Sequence, residues 1–135
     1  MNKKIIALVS TFIIISIVLS ATSDPVLDKS LISQTIFVDA VYEPKNKIVR
    51  ITYNDNSEMT NLITLEVLGM EKTFHKEFSQ SSFVETIEIN SEPKYGWSTT
   101  PVVFSINHDE FGKIGLKTEI YEQGESKPRI IYSKI

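Results

Sequence analysis

From Gln34 onward the apolar residues recur at every second position, in segments rich in Ile, Val, Thr, Phe and Tyr. That is the pattern of half-buried strands, each presenting one apolar and one polar face. The first strand is predicted from Thr35 to Tyr42, with Ile36, Val38, Ala40 and Tyr42 inward. Glu43-Pro44-Lys45-Asn46 supplies a turn, because proline fixes φ and asparagine tolerates the left-handed region. Lys47 to Tyr53 follows with Val49, Ile51 and Tyr53 inward, and Asn54 to Glu58 reads as a polar loop. Leu62 to Leu68 stops at Gly69-Met70, where a tight hairpin is expected. Phe74 to Phe78 carries charge as an edge strand does. Phe83 to Ile89, Val102 to Ile106, Ile114 to Tyr121 and Arg129 to Tyr132 complete the set, with Ile51, Leu65, Phe104 and Leu116 predicted to meet in the core.

Seven or eight short strands in about 100 residues, with turn signals at close intervals, predict an all-β, two-sheet antiparallel sandwich of immunoglobulin-like type. The longest irregular stretch, Asn90 to Pro101, is interrupted by Pro93, Gly96 and Pro101. Helical periodicity is not sustained anywhere after the N-terminal segment.

That N-terminal segment breaks the alternation. Lys3 and Lys4 precede an apolar run from Ile5 to Leu19, and Ser20-Ala21-Thr22-Ser23 leads to Asp24-Pro25. Positive charge, a short apolar run and small residues form the layout of a secretory signal. At about 1.5 Å per residue the run spans roughly 22 Å, short of a hydrocarbon core of about 30 Å. Residues 1–23 are therefore expected to be a signal peptide cleaved after Ser23, with an uncleaved anchor as the alternative and the only route of membrane contact. Residues 24–33 are expected to be a linker and 34–135 the sandwich domain, secreted or extracytoplasmic.

Charge narrows the partners. The leader holds two of the 14 basic residues and none of the 17 acidic ones, so its removal takes the formal charge from −3 to −5. Nucleic acid is excluded as an expected partner, because phosphate binding depends on clustered Lys and Arg and the basic residues here are dispersed. Cysteine is absent, which removes disulfides, thiolate metal sites, cysteine catalysis and lipid attachment at cysteine. The fold must stand on its apolar core.

The lysine-rich leader followed by a cysteine-free sandwich, with VYEPKNKIVRITYNDNS and FGKIGLKTEIYE, resembles small exported immunoglobulin-like and fibronectin-type-III-like β-sandwich proteins of archaea that have no assigned chemistry. The resemblance covers Gln34 to Ser133 and implies an envelope module without catalysis. It lacks the Cys…Trp…Cys signature of immunoglobulin domains, and Trp97, the only tryptophan, falls in a loop.

Four groups invite chemistry. Gly96-Trp97-Ser98-Thr99-Thr100 half-matches the nucleophile elbow but lacks its second glycine and precedes a strand. His108, Asp109 and Glu110 form the densest set of metal-ligating residues, with His75, Met59 and Met70 elsewhere, but neighbours on a strand point to opposite faces. A solvated loop is the simpler reading of 108–110. Asn54 to Glu58 offers oxygen ligands without the spacing and central glycine of a calcium loop. Tyr95, Trp97, Ser98 and Thr99 form the candidate interaction loop, since exposed aromatics stack on sugars or anchor protein partners; closure of one end of the sandwich by Trp97 is the competing reading. The expectation is a non-enzymatic module without cofactor, with a structural or protein-interaction role and an envelope protein as partner. The alternative is a carbohydrate- or divalent-metal-binding protein using the Tyr95–Thr99 or His108–Glu110 loop.

Overall fold

In the computed structural model, residues 27–135 are described, and the expected signal or anchor at 1–23 lies outside them. Among the described residues no helix is long and apolar enough to cross a membrane.

The described chain begins with a helix. Residues 24–33 were expected to be a linker, but α1 spans Lys29–Thr35. Asp28 starts it, its side chain accepting from the Leu31 amide at 3.0 Å, which satisfies one of the unpaired donors at a helix start. The helix holds because Ile32 is fully buried in the core, so one apolar residue fixes a turn too short for the period to reveal.

The strands are β1 (Ile36–Glu43), β2 (Ile48–Asp55), β3 (Thr60–Val67), β4 (Phe74–Phe78), β5 (Ser82–Glu88), β6 (Pro101–His108), β7 (Gly112–Glu119), β8 (Tyr121–Glu122) and β9 (Ile131–Lys134), with a 3-10 turn at Trp97–Thr99. They form two sheets, β5-β2-β1-β8 and β4-β3-β6-β7-β9. All pairings are antiparallel except that of β8 with β1. The result is a β-sandwich. Alternation along the strands puts Val38, Ile51, Leu65, Phe104 and Leu116 into one buried layer between the sheets, which makes the predicted core residues neighbours in space.

The two open sides of the sandwich are treated differently. On one side, β7 ends and the chain crosses to pair β8 with β1, then returns as a strap to β9. Within the strap, Lys127 donates to the Val38 carbonyl at 2.8 Å and lies 4.3 Å over the Phe37 ring. A backbone acceptor on the free edge of β1 is thereby covered. On the other side, β4 and β5 place charges at core-facing positions. Lys76 alternates with Phe74 and Phe78, Glu85 with Phe83 and Ile87, and the two charges pair at 3.1 Å. Below them Phe78 and Phe83 stack at 3.7 Å. A charge at an inward position of β5 disfavours pairing of that strand with a like-charged copy of itself.

Three local expectations are corrected. The β3–β4 connection is a six-residue loop, 68–73, rather than a tight hairpin, because Gly69 packs beneath the Thr99 carbonyl. Asn54 and Asp55 are the last residues of β2 rather than a loop, and Asp55 is buried. His108 is the last residue of β6 and buried, rather than part of a solvated loop. In both cases the inward parity runs one step beyond the last apolar residue and ends on a polar one.

Candidate functional site

The two ends of the sandwich carry different chemistry. At the end holding α1, a buried polar cluster joins the sheets. Asp55 (β2) accepts at Oδ1 from the Ser57 amide at 2.9 Å and hydroxyl at 2.6 Å, and at Oδ2 from the Met59 amide at 3.1 Å and the Thr60 hydroxyl at 2.6 Å. Since the Thr60 hydrogen is committed to Asp55, the Tyr53 hydroxyl donates to Thr60 at 2.8 Å. From the facing sheet His108 (β6) reaches Oδ2 through Nε2 at 3.0 Å. Its Nδ1 lies 3.1 and 3.2 Å from the amides of Glu110 and Phe111. Two donors aimed at Nδ1 require a lone pair there, so the proton sits on Nε2 and is donated to Asp55.

This cluster clasps rather than activates. Ser57 Oγ lies 3.2 Å from the same Nε2 that serves Asp55, whereas a Ser-His-Asp triad uses opposite ring nitrogens for the serine and the carboxylate. Burial pushes the Asp55 carboxyl pKa up, but the hydrogen bonds from Ser57 and Thr60, joined by that from the His108 Nε2–H, outweigh it and leave it below the ordinary carboxylate range. For Tyr53, burial dominates and raises the phenol pKa.

Of the metal-loop candidates, His108 thus turns inward with both nitrogens engaged. Asp109 accepts from Asn61 at 2.6 Å on the surface and Glu110 is exposed. The three do not converge, and among the described residues no three His, Asp or Glu side chains gather as a metal site. In the Asn54–Glu58 segment the Asp55 carboxylate faces the core. The Gly96-Trp97-Ser98 segment enters a 3-10 turn and then β6, without the strand-to-helix geometry of a nucleophile elbow.

The opposite end is aromatic and open. The 68–73 loop, the last residues of β5 and the 90–97 segment enclose a cleft of about 780 Å³. Met70, Phe74, Ile87, Ile89, Pro93 and Trp97 supply its apolar lining, and Glu71, Lys72, Glu88, Glu92 and Lys94 its charges. Gly96, at φ 89°, turns the chain into the 3-10 segment. There the Thr99 hydroxyl donates to the Gly96 carbonyl at 2.8 Å. This places the Trp97 ring 4.7 Å from that of buried Tyr42, at an interplanar angle of 38°. Burial of Tyr42, then the hydrogen bond and charge of Glu92, then the charge of Glu122, raise its phenol pKa.

The walls of the cleft touch at Gly69. Its φ is +79°, and a Cβ there would run into the Thr99 carbonyl oxygen. Of the candidate interaction loop, Trp97 alone lines the cleft, half-buried against the core. Tyr95 is 76% exposed, with the Lys94 ammonium 5.5 Å from its ring centre, and Ser98 and Thr99 face solvent. No family model, curated protein or solved structure matches the chain.

Sequence reasoning did not single out Phe74 or Ile87 as cleft residues, nor Tyr42 as the ring beneath Trp97, because a period-two pattern says which face a residue occupies and not where two sheets diverge. The Asp55–His108 clasp had a signal. Val49, Ile51, Tyr53 and Asp55 share one parity, as do Val102, Phe104, Ile106 and His108.

Proposed function

We propose that the chain is an exported, non-enzymatic sandwich module of immunoglobulin-like class that meets a protein partner at the cell envelope through its aromatic end. The strand division supports the class: β1, β2 and β5 share one sheet and β3, β6 and β7 the other, as strands A, B, E and C, F, G do in immunoglobulin domains. It departs from the constant-type order in that β4 lies beside β3 instead of β5. The lysine-led apolar segment at 1–23 supports export.

The observation that carries the interaction reading is the Trp97–Tyr42 platform on an open cleft with a mixed-charge lining, at the one end not consumed by internal hydrogen bonds. Aromatic anchors beside polar rims are what partner surfaces use. Trp97 is the sole tryptophan, so its fluorescence reports on the cleft. An envelope protein crosslinked to the chain in intact cells should, when purified and titrated back, shift the Trp97 emission. Binding with unchanged emission would place the interface elsewhere and overturn this reading.

A second reading, a carbohydrate binder, is favoured by a cleft within the size range of small-ligand sites and by the exposed Tyr95 ring. It predicts that an oligosaccharide raises the melting temperature by mass action.

A further inference from the structure

We propose that β5 is a docking edge: an extended segment of a partner protein adds to the β5-β2-β1-β8 sheet beside β5, with an apolar side chain entering the cleft and a basic one facing Glu88. This rests on the interaction reading above and names the edge through which it works. The amide of Ile89 donates to the Lys47 carbonyl and that of Asp55 to the Ser81 carbonyl. In an antiparallel pair the hydrogen-bonding direction alternates along the strand, so residues 83, 85 and 87 turn their backbone groups to β2. Those of Ser82, Val84, Thr86 and Glu88 point out of the sheet, unpaired among the described residues.

The other edges are blunted. β4 has five residues with His75, Lys76 and Glu77 exposed; β8 has two; β9 has four; and the open part of β1 is covered by Lys127. β5 has seven residues, neither lysine nor proline, and Val84 is 59% exposed. Its last turn of alternation runs into the cleft through Ile87 and Glu88. An unpaired edge beside a pocket that offers both apolar and charged lining meets the requirement of strand addition, in which main-chain bonds give affinity and side-chain pockets give specificity.

A second copy of this chain is a poor occupant. The fullest antiparallel overlap of two β5 edges pairs Ser82 with Glu88 and Val84 with Thr86, which sets Glu85 directly opposite Glu85 in the closest, non-hydrogen-bonded position. Like charges there are destabilising. A partner with a basic residue is favoured instead, since neither Glu88 nor Glu92 is ion-paired among the described residues.

Two measurements on the full chain in mild detergent test the proposal. In the free protein, backbone hydrogen exchange should be fast at Val84, Thr86 and Glu88 and slow at Phe83, Glu85 and Ile87. Protection of the first three would mean that the edge is already filled, by the chain's own N-terminal segment or by a second copy, and would overturn it. A displayed library of random nine-residue peptides selected on the chain should then converge on an apolar residue next to a basic one. A selected peptide should protect those three amides and bind Thr86→Pro at least ten-fold more weakly. Proline is tolerated there by the fold because the Thr86 amide makes no ladder bond, and an unchanged melting temperature checks this. Failure to enrich any peptide, or undiminished binding to Thr86→Pro, overturns the edge. If Thr86→Pro is silent while Trp97→Ala abolishes binding, the edge falls and the interaction reading stands; if both are silent, both fall.

Discussion

The two ends of this sandwich solve the same problem, closing the gap between two sheets, by opposite means. At the α1 end the inward parity of β2 and β6 finishes on Asp55 and His108, which meet at 3.0 Å across the core. The cost of burying them is offset by hydrogen bonds to nearly every polar atom. At the other end, closure relies on ring packing of Trp97 on Tyr42 and on one close approach at Gly69. A saturated polar clasp has no capacity left for a ligand, whereas an aromatic lid over a cleft does. The contrast is one between an end closed by a fixed polar clasp and an end that stays open, which is where the proposed interaction is placed.

The sharpest way to break this contrast is at the clasp. Asp55→Ala should cost about 3 to 5 kcal/mol, because it leaves buried His108 and Thr60, and half-buried Ser57, without their shared acceptor. Chemical denaturation with an unchanged slope would measure it, and a loss below about 1 kcal/mol would mean that the end is held by α1 alone. The same carboxylate sets an acid limit. Its folded pKa lies below its unfolded value of about 3.9, so its contribution is fully present above that pH and disappears as pH falls through the lower folded value. Stability measured from pH 5 to 2 should fall, and in Asp55→Asn the fall should be shallower.

Gly69→Ala comes next, at about 2 to 3 kcal/mol, since a Cβ adds a left-handed-backbone penalty to a collision with a main-chain oxygen that cannot step aside. Relief of that collision must move the 68–73 loop away from Thr99. The Trp97 emission should therefore shift together with the melting temperature. A drop in stability with unaltered emission would separate Gly69 from the cleft.

How much of this was legible follows from the periods involved. Ile51, Leu65, Phe104 and Leu116 were readable as core because a period of two assigns a face to every residue of a strand. The strands Lys47–Tyr53 and Val102–Ile106 were ended too early, since a polar residue at an inward position reads as the start of a loop until its partner from the other sheet is known. The residue pair Asp55 and His108 is 53 positions apart, beyond any local pattern. α1 escaped for a different reason: in seven residues with one buried side chain there is no period to see. The sequence offers Trp97 as an anchor or a lid; the structure places it half-buried on Tyr42, lining the cleft.

Trp97→Ala sharpens that point, with a smaller effect of about 2 kcal/mol. The ring is half-buried, so it forfeits part of the 3 to 5 kcal/mol of a fully buried tryptophan, including the aromatic pairing with Tyr42. Trp97→Phe should recover most of the stability. A change below about 0.5 kcal/mol for the alanine variant would make Trp97 an ordinary surface residue.

The smallest effect tests the quality of packing behind the aromatic lid. Thr100 is fully buried, and its hydroxyl has no hydrogen-bond partner, in contrast with the saturated cluster at the opposite end. Its backbone amide is already satisfied by the Trp97 carbonyl at 3.1 Å, so the hydroxyl alone bears the desolvation cost. Thr100→Val exchanges that hydroxyl for a methyl group of nearly the same shape. It should raise stability by about 1 kcal/mol, the order of the penalty for an unmet buried hydroxyl. Thermal unfolding of the single variant measures it, and Thr60→Val at the clasp is the control. There the hydroxyl both receives from Tyr53 and donates to Asp55, and the same chemical change should destabilise. Equal signs for the two valine variants would erase the distinction between a wired end and an open one.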